Sequence, residues 1–192
     1  DILIQKNATA NSAVVQVVAI ELTEQPSMYS QPVGRITEVL GEIDDPGMEI
    51  EIAVRKYEVP HRFSPESLAQ AAALPEKLRP ADKRHLIDLT DVPLVTIDGE
   101  DARDFDDAVY CEPLKKGRGK TAFDGWRLIV AIADVSHYVK PGEPLDEDAY
   151  ERATSVYFPR RVIPMLPEKI SNGLCSLNPD EERLSMVCDM LV

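Results

Sequence analysis

Apolar and polar positions alternate in three stretches of the first sixty residues. Ser12–Leu22 (SAVVQVVAIEL) is rich in Val and Ile, and Val33–Leu40 (VGRITEVL) alternates after Pro32. Glu49–Tyr57 (EIEIAVRKY) alternates Glu with Ile after the turn-forming run Asp44-Asp45-Pro46-Gly47. A period of two in β-branched residues predicts strands. Short strands separated by turn residues predict a small barrel or sandwich. The pattern breaks between Pro60 and Pro65, where Ser64-Pro65 has the form of an N-cap followed by a first-turn proline. That pair predicts a helix running to about Leu74. Pro75 to Pro80 separates it from a short stretch near Ala81–Leu89. Residues 61–87 therefore read as a helical connector outside any core.

A second unit starts near Asp88. Leu94–Ile97 is a short apolar strand, and Asp107–Glu112 and Arg127–Val135 read as two more. The segment between these two, KKGRGKTAFDG at 115–125, carries Gly117, Gly119 and four basic residues. It reads as a solvated hairpin tip, with steering of a polyanion as the alternative. Leu145–Ala153 reads as a helix whose early Asp146, Glu147 and Asp148 suit its positive end. Tyr157–Pro167 holds three prolines and is expected to be irregular. Leu184–Val192 (LSMVCDMLV) reads as a strand, and a strand needs a pairing partner. With Asp at position 1, it leads to the expectation of a piece cut from a longer protein. Strands and helices in separate runs place the fold in the α+β class.

Composition narrows the function. The chain has 192 residues, 44% of them hydrophobic, which is enough for a core in one domain or two small ones. No apolar run approaches the roughly 20 residues of a membrane span, and the first residues lack the form of a signal peptide. Three cysteines, Cys111, Cys175 and Cys188, form no CxxC pair. That argues against a disulfide framework and a structural zinc site, and suits a reducing cytoplasm. Cys111 and Cys188 lie in strand-like segments and are expected in the core. The net charge of −13, from 34 acids against 21 Lys and Arg, argues against a simple electrostatic binder of nucleic acid.

Much of the candidate chemistry sits in one segment, Ile97-Asp98-Gly99-Glu100-Asp101-Ala102-Arg103-Asp104-Phe105-Asp106-Asp107-Ala108. Six carboxylates fall within the ten positions 98–107, with Arg103 alone to offset them. Like charges this close raise one another's pKa unless cations or hydrogen bonds compensate. A hard divalent cation such as Mg²⁺ is one solution, because it prefers carboxylate oxygens, water and substrate phosphate. In extended backbone Asp104 and Asp106 share a side and Asp107 takes the other, and a turn at Gly99 folds Asp98 back toward them. Four carboxylates can then surround one or two ions that clamp the attacking and leaving oxygens of a phosphodiester. An EF-hand reading from Asp101 fails because position 6 is Asp106, where glycine is required. An Asp-x-Asp phosphatase reading of Asp104 and Asp106 lacks a following hydroxyl. A solvated acidic loop remains the plain alternative, although Phe105 inside the run argues against full solvation.

Other chemistry is thin. His61, His85 and His137 show no metal-binding spacing, and there is neither a nucleophile elbow nor a P-loop. Tyr157-Phe158 beside Arg160 and Arg161 offers an aromatic to stack a base and guanidiniums for phosphate, or else ordinary packing.

The segment TIDGEDARDFDDAV at 96–109 resembles the signature of the RNB family. Similar to that family as well are GWRLIVAIADVSHYV at 125–139, TSVYFPRRVIPMLP at 154–167, SNGLCSLNPDEERLSMVCDM at 171–190 and PGMEIEIAVRKYEVP at 46–60. The resemblance implies a Mg²⁺-dependent, processive 3′→5′ hydrolytic exoribonuclease that degrades single-stranded RNA from its 3′ end to nucleoside 5′-monophosphates. It implies that residues 1–60 are most of an OB-type, cold-shock-like RNA-binding barrel. Residues 88–192 would then be the N-terminal part of a mixed α/β catalytic domain. The family's four catalytic aspartates fall on Asp98, Asp104, Asp106 and Asp107. Asp98 and Asp107 resemble the principal metal ligands, Asp106 the residue most critical for turnover, and Asp104 a supporting ligand. Tyr157 matches the tyrosine that stacks on the 3′-terminal nucleotide. The family's catalytic domain continues beyond this chain and is followed by a C-terminal OB-type RNA-binding domain, so the remaining segments of the parent are implied partners. Residues 1–62 hold only Tyr29 and Tyr57 as aromatics, so base stacking by this unit is not expected to be strong.

Three function classes stay on the table: a catalytic segment of an exoribonuclease, a non-catalytic RNA-binding OB-type module, and an acidic divalent-cation module. Loss of Mg²⁺-dependent RNA digestion on Asp106→Asn marks the first. Salt-sensitive RNA binding by residues 1–62 marks the second. Tight Ca²⁺ binding without RNA marks the third.

Overall fold

The computed structural model describes residues 1–5, 7–100, 102–117 and 123–192. Residues 118–122 of the hairpin tip expected at 115–125 thus lie outside the described residues, as does Asp101 of the acidic run. The chain divides into two compact units, Asp1–His61 and Arg62–Val192. Among the described residues no helix is long and apolar enough to cross a membrane.

The first unit is a three-stranded sheet with one helix. Its strands are β1 (Leu3–Ile4), β2 (Gln16–Glu24) and β3 (Val33–Glu42), in the order β1-β3-β2. β1 runs parallel to the central β3, and β2 runs antiparallel to it with three shifts of register. The centre of this sheet is tight. Gly34 of β3 pairs with Ile4 on one side and Leu22 on the other, and a Cβ built on it would lie 2.6 Å from Ile20 Cγ2. Of the OB-type barrel expected in part, the described residues form these three strands, with β1 and β2 at the edges.

The strand expected at Glu49–Tyr57 is instead helix α1 (Met48–Lys56). Glu and Ile alternate there, but helical contacts outweigh the alternation. Glu49 and Glu51 occupy the first turn, and Arg55 and Lys56 the last, which matches the helix dipole at both ends. Glu51 and Arg55 form an ion pair at i,i+4 spacing, and Arg55 also donates to Glu38 on β3 at 2.9 Å. Met48 and Val54 supply the buried positions. Gly47, at φ +86°, makes the left-handed entry to the helix that a side chain would resist.

The second unit opens with α2 (Pro65–Ala73), which begins as expected. Ser64 caps it by accepting the Ser67 N–H at 3.1 Å. Contrary to the reading of this passage as a connector outside the core, Ser67 and Ala71 are buried. The Ser64 N–H donates to Asp148 of α3 (Pro144–Arg152) at 2.8 Å, and the Leu145 N–H donates to Gln70 at 3.0 Å, tying the two helices together. Ala71, Ala133, Tyr138, Leu145, Ile170 and Leu174 belong to one core cluster at this end of the unit.

The sheet of this unit is β4 (Asp107–Lys116), β5 (Phe123–Ala133) and β8 (Ser185–Leu191), antiparallel throughout with β5 in the centre. Leu94–Ile97 contributes only a bridge, Val95 to Val109. In this register Val109, Cys111, Leu128, Val130, Cys188 and Met190 share one face. Val109, Leu128, Val130 and Met190 are half-buried there, while Cys111 and Cys188 are exposed, against expectation, and Cys175 is buried. The stretch expected to be irregular forms a small hairpin, β6 (Val156–Phe158) and β7 (Arg161–Ile163), with Pro159 and Arg160 at its turn. Its prolines lie outside the paired positions, where no ladder N–H is required. A π-helical turn, Lys169–Leu174, precedes the segment that meets the acidic loop.

Candidate active site

The acidic loop leaves the sheet at Asp107, the first residue of β4, paired with Ile132. One residue earlier, the Asp106 carbonyl accepts the Ala133 N–H at 2.8 Å. Upstream, the Ala102 N–H closes on the Gly99 carbonyl at 3.0 Å, giving the turn expected at Gly99. The loop is therefore held to the sheet at Asp106 and Asp107 and carries a local turn upstream.

Asp106 registers that crowding. Partial burial pushes its carboxyl above the ordinary carboxylate range, and the charges of Asp104, Asp107 and Asp98 push it further. Asp98, Asp104 and Asp107 thus all act on Asp106. Tyr157 on β6 joins them, its hydroxyl donating to both oxygens of Asp104 at 2.9 and 3.1 Å. Burial and this hydrogen bond raise the phenol, with further contributions from Asp104, Asp106 and Asp98, so it remains a donor. The tyrosine is 61% exposed, leaving its ring open to a ligand while its hydroxyl is engaged. Arg160 is exposed at the hairpin turn beside it.

The donor set suits a hard divalent cation. Each of the four side chains is a carboxylate, and a bound cation would relieve the repulsion that lifts Asp106. Among the described residues, however, no group of three or more His, Cys, Asp or Glu side chains is arranged so as to hold an ion.

A second layer of residues escaped the sequence reading. Ser176 is fully buried, and its Oγ accepts the Phe105 N–H at 3.0 Å. The same oxygen lies 3.0 Å from the Arg103 carbonyl, to which it donates. The Leu177 N–H adds a bond to the Phe105 carbonyl at 2.9 Å. Arg183 steadies this segment, its Nε donating to the Gly173 carbonyl at 2.8 Å and the Ser176 carbonyl at 3.0 Å. Cys175, next to Ser176, has its thiol pushed up to about 12, first by burial and then by Asp134 and Asp106. The available signal was a serine inside the apolar run Leu174–Leu177, since a buried hydroxyl requires a partner.

Comparison with known proteins places these features in a family. The RNB domain model matches residues 86–192, and the cold shock domain model matches residues 1–64. Ribonuclease R of Escherichia coli K12 is 53% identical over 192 residues, which is 100% of this chain and 23% of that protein. Ribonuclease R of Thermotoga maritima is 43% identical over 177 residues, 91% of this chain and 24% of that protein. This chain thus spans about a quarter of the length of such relatives. Among solved structures, RNase R of Mycoplasma genitalium in complex with double-stranded RNA has a TM-score of 0.86 at 30% identity, covering 99% of this chain and 33% of that one. Yeast Ssd1, described as a pseudonuclease, shares the fold with a TM-score of 0.57 at 17% identity, covering 93% of this chain and 22% of that one. The RNB match takes in more than half of the chain and runs through the aspartate loop, Tyr157 and the segment that grips the loop; the chain belongs to the RNB family.

Proposed function

We propose that this chain carries part of the reaction centre of a cytoplasmic, Mg²⁺-dependent exoribonuclease. The parent protein would hydrolyse single-stranded RNA from its 3′ end to nucleoside 5′-monophosphates. The observation that carries this reading is the RNB match through the aspartate loop, with Tyr157 bonded to Asp104 and the charges of Asp104, Asp107 and Asp98 raising Asp106. Identity with ribonuclease R from several bacteria supports it. The likeness to Mycoplasma genitalium RNase R bound to double-stranded RNA, and to that enzyme bound to ribose-methylated single-stranded RNA, supports RNA as the ligand. The yeast pseudonuclease shares the fold, so the fold by itself does not carry the chemistry, and the aspartates are the residues to test.

In this reading Asp98 and Asp107 hold Mg²⁺, Asp104 supports them, and Asp106 governs turnover. Bound there, Mg²⁺ supplies positive charge to the scissile phosphate and a more acidic water. Tyr157 stacks its open ring on the 3′-terminal base while its hydroxyl orients Asp104. The chain alone is expected to be inactive, because further phosphate-binding groups belong to the remaining catalytic segment and the C-terminal OB-type domain of the parent. The net charge of −13 fits that division, since the acid-rich part holds the cation and other parts hold the phosphate backbone.

The test is digestion of 3′-tailed RNA by the complete parent protein, with and without Mg²⁺. Asp106→Asn is expected to abolish digestion and leave RNA binding intact; full digestion by this variant would overturn the assignment. The cold shock domain match at residues 1–64 favours a second reading, in which the first unit also binds RNA without cleaving it. Salt-sensitive RNA binding that survives Asp106→Asn, and weakens when Asp1–His61 is deleted from the parent, is its signature.

A further inference from the structure

Asp98, Asp104 and Asp106 sit on the loop that leads into β4 at Asp107, and a loop supplies little rigidity of its own. Something must aim them. The backbone on either side of Asp104 is held by a single side chain. The carbonyl of Arg103 accepts the Ser176 hydroxyl at 3.0 Å, and the N–H of Phe105 donates to the same oxygen at 3.0 Å. One hydroxyl therefore brackets Asp104 from both sides. Ser176 is completely buried, so water does not compete for its hydroxyl. The neighbouring Leu177 N–H holds the Phe105 carbonyl at 2.9 Å, and the Ala133 N–H holds the Asp106 carbonyl at 2.8 Å. From residue 103 to residue 106 the backbone is thus pinned at four points, two of them on Ser176.

The pin is itself braced. Arg183 binds the carbonyls of Gly173 and Ser176, fixing the short segment that presents the hydroxyl. Asn178 lies within reach of the same hydroxyl at 3.3 Å and anchors its own amide on the Asn172 carbonyl at 3.1 Å. Its two shorter bonds are to main-chain groups, so it would act through the direction in which Asp104 and Asp106 project.

We propose that Ser176 is a positioning residue of the reaction centre, whose hydroxyl brackets Asp104 and fixes the projection of Asp104 and Asp106 toward Mg²⁺ and the RNA phosphate. The inference rests on the function proposed above for these aspartates. Removing the hydroxyl takes this partner from the part-buried Phe105 N–H and Arg103 C=O, and the loop relaxes to satisfy them elsewhere. Misplacing reacting groups by about 1 Å costs on the order of 100-fold in rate.

The experiment uses the complete parent protein with Ser176→Ala, Ser176→Cys and the control Ser67→Ala. Ser67 is also fully buried, but its hydroxyl has no hydrogen-bond partner among the described residues. Ser176→Ala is expected to lower kcat about 10- to 100-fold with KM for 3′-tailed RNA unchanged. It is also expected to raise the half-saturating Mg²⁺ concentration, with weaker Mg²⁺ binding by calorimetry in the absence of RNA. Ser176→Cys, which keeps the volume but bonds weakly, is expected to fall between, and it decides the matter if Ser176→Ala does not fold. Ser67→Ala is expected to match the unmodified protein. Wild-type kcat and Mg²⁺ dependence in Ser176→Ala would overturn the proposal, as would equal losses in the Ser67 control. Asp106→Asn, run alongside, separates the failures. An active Asp106→Asn removes the reading of the site, whereas an inactive one beside a normal Ser176→Ala removes only the positioning role.

Discussion

Replacing Tyr157 with phenylalanine removes one oxygen and leaves the ring. That oxygen donates to Asp104 at 2.9 and 3.1 Å. A hydrogen bond to a charged partner contributes about 1.5–3 kcal/mol when shielded from water. Tyr157 is 61% exposed, so solvent screening reduces the figure to about 1 kcal/mol. If the bond holds Asp104 in its working orientation, its loss lowers the population of that orientation, and the rate falls about fivefold. The assay is single-turnover digestion of 3′-labelled RNA by the parent protein at fixed Mg²⁺, alongside a 3′-end binding measurement. Tyr157→Phe is expected to bind the RNA normally and cleave it about fivefold more slowly. Tyr157→Ala, losing ring and hydroxyl together, is expected to lose both binding and rate. Because the phenol is raised above its ordinary value, the ratio of wild-type to Phe rates is expected to stay flat across the neutral range. Equal rates for wild type and Tyr157→Phe, with Tyr157→Ala impaired, would refute the orienting role and leave only stacking.

Two further outcomes concern stability. Gly34→Ala places a methyl group 2.6 Å from Ile20 Cγ2 and 3.0 Å from the Glu21 carbonyl; overpacking of this kind costs about 1–3 kcal/mol, measurable as a lower urea midpoint of the first unit. Asp106 has a raised carboxyl in the folded chain, so the stability tied to its proton is present below the unfolded value near 3.8 and lost as pH rises through the higher folded value. Without metal, Asp106→Asn is therefore expected to raise the Tm of the second unit at neutral pH and to lose that advantage on acidification. An unchanged Tm difference between neutral and acid pH would contradict the crowding of the four aspartates.

The elements most legible in the sequence were those whose local chemistry and burial agree. Ser64-Pro65 announces α2, and the apolar runs announce β4, β5 and β8. The density of Asp at 98–107 announces a site, because six carboxylates together require an explanation. Helix α1 was misread because Glu/Ile alternation resembles a strand, whereas the Glu51–Arg55 pair and the contact to Glu38 on β3 become visible only once the helix has a sheet beside it. Cys111 and Cys188 were misplaced for a related reason. Alternation tells which residues share a face, and tertiary packing decides which face is covered. Ser176 was illegible because its partner, Phe105, is 71 residues away. Polar contacts over such separations leave no periodicity to read.

The half-open face of the β4-β5-β8 sheet makes the three thiols a built-in ruler of accessibility. Cys111 and Cys188 stand on that face, while Cys175 is buried with its thiol pushed up to about 12. Thiolate is the reactive form, so an alkylating reagent titrated against this chain reports two fast modifications and one that waits for unfolding. The same count on the parent protein is a footprint: whichever of the two fast sites falls silent is shielded by polypeptide that the shorter chain does not contain. The slow third site then times the opening of the core that backs the aspartate loop.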